Sequence, residues 1–500
     1  MVGKAAVTAL IAVAVVFLAF ALQDRLSDSG DSSSESAPSV SIRGLFPPFD
    51  PSETRYVSRC GRGGPLVAGR TGAGSRVAIG ASRPRAGAFR IARDRVGPGY
   101  DFVLGVYSGD RSRRYRVRCL PADFPAWRFQ RLRRLGSGLF VVAFRADPRT
   151  RPWIIVFDHR GVPRWWFSPS TRVLWAQILK DGTVAWARSF GDGFGLDPRM
   201  AIELRTPAAR LLELARTRGL ITDGHEFREL ANGNVLMSSY APAGGVNLRR
   251  FGGPPRTAAA FAEVQEVDPR GRVVWRWNSR GRIRLGETGR WWRNVLANSK
   301  STGTRPTIFD PVHINSIEPR GPDELVISTR HTDAVYGIDR STGEISWKLG
   351  GLETPQSLRI LGDPARKSFG GQHDARIGED GILSIYDNAK DRPRRPRAAF
   401  YRLHVGRGVA TYLGQINDRK IKTSHCCGSV RPLAGGGWLV SWGDNPLVTG
   451  FDRDKRIAFR LSLPTSTYRA VPVPPGATSI ADLDRGLEAM ERHRATARPQ

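Results

Sequence analysis

The sequence predicts an all-β protein: a six-bladed β-propeller preceded by a small β-sandwich, with an N-terminal transmembrane helix. Three observations carry this reading. A strand–turn–strand unit recurs six times between residues 127 and 463, and internal repetition of this kind marks propellers. Glycine (55), proline (34) and tryptophan (13) are frequent, while long amphipathic helical patterns are scarce, a balance that favours short strands. Ahead of the repeats, a cluster of short strand-like runs is bracketed by Cys60 and Cys119.

In chain order, residues 5–22, AAVTALIAVAVVFLAFAL, carry no charge and follow Lys4. Their length is at the lower limit for a spanning helix, so signal anchor and cleavable signal peptide compete, with Ala19-Phe20-Ala21 as a cleavage site in the second case. We read 1–24 as an anchor, which places the globular part outside the cytoplasm on a single-pass membrane protein. The Ser-rich, acidic segment 25–45 has little to bury and reads as a disordered tether. Residues 46–122 supply YVSRC, PLVAG, SRVAIG, GAFRIA, YDFVLGVYS and RRYRVRCL, the strands of an antiparallel sandwich. A Cys60–Cys119 disulfide inside it requires an oxidising compartment.

Residues 123–468 are assigned to the propeller and 469–500 to a C-terminal tail with a helix. The first hairpin of each repeat reads WRFQRLRRLGSGLFVVAFRAD, LWAQILKDGTVAWARSF, HEFRELANGNVLMSSY, HINSIEPRGPDELVISTR, HDARIGEDGILSIYDN and HCCGSVRPLAGGGWLVSWG. Second hairpins such as IIVFDHRGVPRWWF, VQEVDPRGRVVWRWN and VYGIDRSTGEISWKLG follow, and after the second copy AIELRTPAARLLEL is a degenerate one. Turns this short permit only antiparallel neighbours. Inserts lengthen the third and fourth copies at 240–262 and 351–371, and such loops tend to surround a binding face.

Composition narrows the partners. Lys and Arg number 77 against 46 Asp and Glu, a formal net charge of +31. That surface attracts anions: nucleic acid, anionic lipid, or sulfated or phosphorylated small molecules. No recognition-helix or RNA-binding sheet signature is present, so nucleic acid is not the expected partner.

Aligning the repeats makes the histidines informative. His225, His313, His373 and His425 each open the first strand of a blade. In a propeller those strands line the central channel, so their starts form a ring. Arg330 returns to the same end from the second strand, as do Tyr240 and Asn388, and Asn315 shares a strand face with His313. Clustered imidazoles beside a guanidinium are held neutral, with lone pairs available as nucleophile, base or metal ligand. Three His can hold Zn²⁺. An arginine aimed into the site suits an anionic oxygen better than a cation, however, and no carboxylate is evident to close the set.

GHEF, HINS followed by STRH, QHDAR followed by YDN, and CCGS with LVSWG resemble the arylsulfotransferase family of exported bacterial enzymes. The resemblance implies transfer of a sulfuryl group from a phenolic sulfate ester to a phenol, with no nucleotide sulfate donor and no cofactor. It further implies a ping-pong route through a sulfated histidine, His373, with His313, Asn315, Arg330 and His225 binding and polarising the group. Asn388 and His425 complete the expected substrate contacts. The alternative is a non-catalytic propeller that binds anionic glycans or a protein at the cell envelope. Cys426 and Cys427 are compatible with a vicinal disulfide or with two buried thiols.

Overall fold

A computed structural model describes residues 40–60, 67–91, 101–136, 138–144, 151–190, 195, 197–298, 308–365 and 369–496. The expected anchor, and most of the tether, lie outside the described residues. Among the described residues no helix is long and apolar enough to cross a membrane. The chain divides into two compact units, one ending at Cys119 and one running from Leu120 to Gln500.

The first unit has two sheets, one of three strands and one of four. Phe89 of the three-stranded sheet joins Tyr56, Val77, Ile79, Leu104, Tyr115 and Val117 in one buried core. The expected all-antiparallel order fails at one place, because Arg55–Ser58 runs parallel to Arg111–Cys119. That parallel pair brings the chain after Ser58 to the end of the last strand, where Cys60 and Cys119 form a disulfide. With 59 residues of separation, the chain-entropy model gives about 4 kcal/mol of stabilisation. Replacing both cysteines by serine should lower the melting transition of this unit and leave the second unit's unchanged, which calorimetry of the two transitions will show.

Among its described residues the second unit contains six sheets built on four antiparallel strands, three of which carry a fifth strand. We number them as blades. Blade 2 comprises Arg172–Ile178, Val184–Ser189, Ile202–Arg205 and Leu211–Ala215; the last two strands are the degenerate hairpin. Blade 3 starts at Thr222–Glu229, blade 4 at Ile314–Arg320, blade 5 at His373–Ile377 and blade 6 at Ser429–Pro432. Each inner strand packs on the next, and Thr467–Pro472 packs against the inner strands of blades 2 and 6, closing the ring.

Closure differs from the expected arrangement. Thr467–Pro472, assigned partly to the tail, pairs with Leu139–Phe144 and supplies the inner strand of blade 1. The segment expected there, Arg128–Arg131, instead pairs with Ile457–Ser462 at the outer edge of blade 6. Joining the chain ends this way satisfies strand edges that would otherwise be exposed at the seam.

The repeat signature has local causes. Its aspartate caps the turn between the third and fourth strands: Asp158 Oδ1 accepts from Val162 N at 2.9 Å, Asp268 Oδ1 from Arg272 N at 2.8 Å and Asp452 Oδ1 from Arg456 N at 2.8 Å. The preceding glycine in YGID and TGFD clears room for an aromatic ring on the fourth strand. A Cβ on Gly337 would lie 2.1 Å from Trp347 Nε1, and one on Gly450 would lie 2.1 Å from Phe459. Tryptophans then tie blade to blade, as where Trp275 and Trp277 of blade 3 donate to the Arg340 and Gly343 carbonyls of blade 4. Apolar clusters fill the wedges, with Leu236, Trp277, Ile317 and Tyr336 between blades 3 and 4.

Candidate active site

The site grows from a distortion shared by the inner strands. In five of the six, the pairing register shifts: at 173/176, 222/227, 314/316, 373/376 and 467/470. A bulge inserts an extra residue and re-aims side chains. Consecutive residues are therefore both buried: His225 and Glu226, Asn315 and Ser316, His373 and Asp374, Tyr468 and Arg469. His313 and Asp374 accept left-handed backbone, with φ of 55° and 56°.

The first members of three of these pairs, His225, His373 and Tyr468, join His313 and His331 in a layer of imidazoles and a phenol. The His225 and His313 rings are 4.9 Å apart, and those of His313 and His331 are 4.6 Å apart. The ring of Tyr468 stands 6.0 Å from both His225 and His373, edge to face. The expected ring of strand starts therefore brings His225, His313 and His373 around one point, with Arg330 beside them.

Each imidazole is oriented through Nδ1. His225 Nδ1 bonds Asp223 Oδ1 at 2.7 Å, and His313 Nδ1 bonds Asp310 Oδ2 at 2.6 Å. His331 Nδ1 donates to the Asp310 carbonyl at 2.7 Å, and His373 Nδ1 to the Gly371 carbonyl at 3.1 Å. Carboxylates thus do close the set, correcting the expectation of none. Asp223 lies just before GHEF and Asp310 just before HINS, where no repeat position flagged them. His373 Nε2 accepts a 3.3 Å bond from the Cys427 amide, so its lone pair faces away from the backbone carbonyl. Burial pushes His373 well below the usual imidazole range, and Arg330, His313 and His225 add to the shift. Burial, then His225 and Arg330, do the same to His313.

Arg330 is held by three neighbours. Its Nη1 donates to His331 Nε2 at 3.0 Å, its Nη2 to the His425 carbonyl at 3.0 Å, and its guanidinium lies 4.3 Å over the Trp291 ring. Burial pulls its pKa down to about 10, so it stays cationic at neutral pH. Trp291 comes from the helical insert Leu285–Trp291 between blades 3 and 4, which falls outside the repeat pattern and gave no signal. Asn388 Nδ2 donates to the Gly371 and Cys427 carbonyls, 2.8 and 3.0 Å away, and so fixes the backbone on both sides of His373. Asn315 Nδ2 donates to the Gln372 carbonyl at 2.8 Å.

His425 is placed differently from the expectation. Its imidazole is exposed and pairs with Asp444 at 2.9 Å, while only its carbonyl meets Arg330. The blade 6 strand begins four residues later, at Ser429, because Cys426 and Cys427 form a vicinal disulfide in the intervening loop. Among the described residues, Asp310, His313 and His331 carry ligand atoms within 4.8 Å of one another. A cation there would compete with the hydrogen bonds between those residues and face the Arg330 guanidinium, so the electrostatics favour an anion.

The second members of the same three pairs, Glu226, Asp374 and Arg469, belong to an ionic layer, whereas Ser316 accepts from the Ala375 amide. Arg376 bonds Glu226, Asp374 at 2.8 Å and Glu318 at 2.9 Å; Arg431 bonds Asp374 at 2.6 Å; Arg469 bonds Glu226 at 3.1 Å. Asp374 therefore does not orient His373, in keeping with its expected opposite facing. Against the desolvation of burial, Arg431, Arg376 and Arg469 hold its carboxyl far below the ordinary range.

No curated protein matches the chain. Solved structures that resemble it do so weakly. A protein of unknown function from Bacteroides caccae is 12% identical with a TM-score of 0.40, over 68% of this chain and 100% of that one. AztD from Citrobacter koseri is 12% identical with a TM-score of 0.32, over 68% and 98%. Virginiamycin B lyase from Staphylococcus aureus is 13% identical with a TM-score of 0.32, over 67% and 88%. Residues 176–463, more than half of the chain, match the family model described as arylsulfotransferase (ASST). That span includes His225, His313, Arg330 and His373, and the chain belongs to the arylsulfotransferase family.

Proposed function

We propose that this protein transfers a sulfuryl group from a phenolic sulfate ester to a phenol through a sulfated His373. The observation that carries the reading is a neutral, buried imidazole whose Nε2 lone pair lies beside a cationic arginine and two Asp-oriented histidines. In the first half-reaction the Nε2 electron pair gives up its 3.3 Å hydrogen bond from the Cys427 amide and forms the N–S bond, while the phenolic C–O–S linkage opens at S–O and the electrons leave on the phenolic oxygen. Negative charge is spread over the sulfuryl oxygens in an in-line transfer, where Arg330 stabilises it. The leaving phenolate takes its proton from solvent, and in the second half-reaction Nε2 of His313 or His225, each oriented through Nδ1 by a carboxylate, accepts the proton of the entering phenol and passes it to solvent. In the second half-reaction an acceptor phenol attacks the same sulfur and frees His373.

Localisation outside the cytoplasm, on the N-terminal anchor, is part of the proposal. Two disulfides support it, since such bonds persist in oxidising compartments.

Incubating the protein with 4-nitrophenyl sulfate and no acceptor should add one sulfuryl group to the intact mass, and phenol should then remove it. Absence of any adduct or nitrophenol release sinks the reading. The pH dependence follows from the depressed pKa of His373. Free imidazole loses half its lone pairs near pH 6.5, whereas His373 keeps its own. The rate of adduct formation should thus stay flat from about pH 8 to 6 and fall only in more acidic solution.

A further inference from the structure

Tyr468 belongs to a strand that the repeat pattern did not include, and it is placed at the centre of the imidazole layer. The bulge at 467/470 turns its ring inward. The ring is buried, 3% exposed, and stands between His225 and His373 at 6.0 Å from each. Its carbonyl accepts from Gly428 N at 3.0 Å, which ties it to the loop whose Cys427 amide meets His373 Nε2. Among the described residues its hydroxyl has no hydrogen-bond partner. A phenol used only for packing would be better replaced by phenylalanine, because a buried polar group without a partner opposes folding. The hydroxyl in this position therefore points to a ligand oxygen.

We propose that Tyr468 is a further catalytic residue, whose hydroxyl donates a hydrogen bond to a sulfuryl oxygen as the group passes between phenolic oxygen and His373 Nε2. The inference rests on the sulfuryl-transfer reading above. No proton leaves Tyr468: the N–S bond forms, the S–O bond to the phenol breaks, and the O–H stays intact while its acceptor gains charge. Burial pushes the phenol's pKa above its ordinary value, which keeps it a donor throughout the neutral range. Asn315 supports this geometry from below, since its carbonyl accepts from the Arg469 guanidinium at 2.6 Å.

The test is Tyr468→Phe, which removes the oxygen alone. Loss of one preorganised donor to a developing oxyanion lowers kcat by about 10²-fold, with KM for the donor changed far less. The loss should be equal for 4-nitrophenyl sulfate and phenyl sulfate, because the bond is to the sulfuryl group and not to the leaving oxygen. A variant as active as the wild type, or a loss confined to the poorer leaving group, overturns the assignment. A wild type with no transfer at all sinks the broader reading instead. Should the variant not fold, 3-fluorotyrosine installed at position 468 keeps the question open to measurement. Its ¹⁹F resonance should shift when inorganic sulfate is added, and a resonance indifferent to sulfate overturns the proposal.

Discussion

His373→Asn is expected to abolish sulfuryl transfer, lowering kcat/KM by at least about 10⁴-fold, because a covalent route has no substitute for its nucleophile. Asparagine keeps a polar group at the start of the His373–Ile377 strand but offers no nitrogen lone pair to sulfur. The variant loses the imidazole's bonds to the Gly371 carbonyl and the Cys427 amide, but Asn388 still bonds the Gly371 and Cys427 carbonyls and ties the same two segments together. The melting temperature should consequently move little. Intact mass after incubation with 4-nitrophenyl sulfate checks the chemistry, since the variant should gain nothing where the wild type gains one sulfuryl group. A sulfated His373→Asn protein would relocate the nucleophile to His225 or His313, which face the same point.

The second large effect concerns stability. Arg376→Met should destabilise the propeller by about 3–5 kcal/mol, the usual result of removing one partner from a buried ionic group. Arg376 is 5% exposed and bonds three buried carboxylates, Glu226, Glu318 and Asp374. Methionine fills a comparable volume but leaves those charges facing one another. A fall in melting temperature of roughly 5 °C or more is expected at neutral pH. The acid response gives an independent check. Asp374 has a folded-state pKa below its unfolded value, so its contribution is present at neutral pH and is lost as pH falls below about 4 and through the depressed value. Removing Arg376 weakens that depression, so the variant, already less stable at neutral pH, should lose less further stability than the wild type as pH falls through this window. A variant with the wild-type melting temperature and acid profile would show that Arg431 and Arg469 suffice to balance the layer.

The two predictions address adjacent layers of the same axis. At His225–Glu226, His373–Asp374 and Tyr468–Arg469 the chain places one residue among the imidazoles and the next among the ion pairs. Rigidity below therefore supports orientation above, through backbone only one residue long. His225 and Glu226 share a strand with this arrangement, as do His373 and Asp374.

Sequence periodicity alone determined the meanders, the six-fold repeat, the convergence of His225, His313 and His373, and the return of Arg330 beside them. These features depend on short-range rules: alternation along a strand, turn length, and the equivalence of repeat positions. The resemblance of HINS, STRH and QHDAR to the arylsulfotransferases added the chemistry. Tertiary structure alone decided the rest. Ring closure moved Thr467–Pro472 into blade 1 and brought Tyr468 to the centre of the site, a pairing of residues more than 300 positions apart that no local pattern encodes. Bulges broke the alternation along the inner strands, and so Asp223, Asp310 and the ionic layer could not be read from facing rules. His425 lost its expected place because the Cys426–Cys427 loop delays the start of its strand. Local patterning specifies each blade, whereas the contents of the axis depend on how six blades meet.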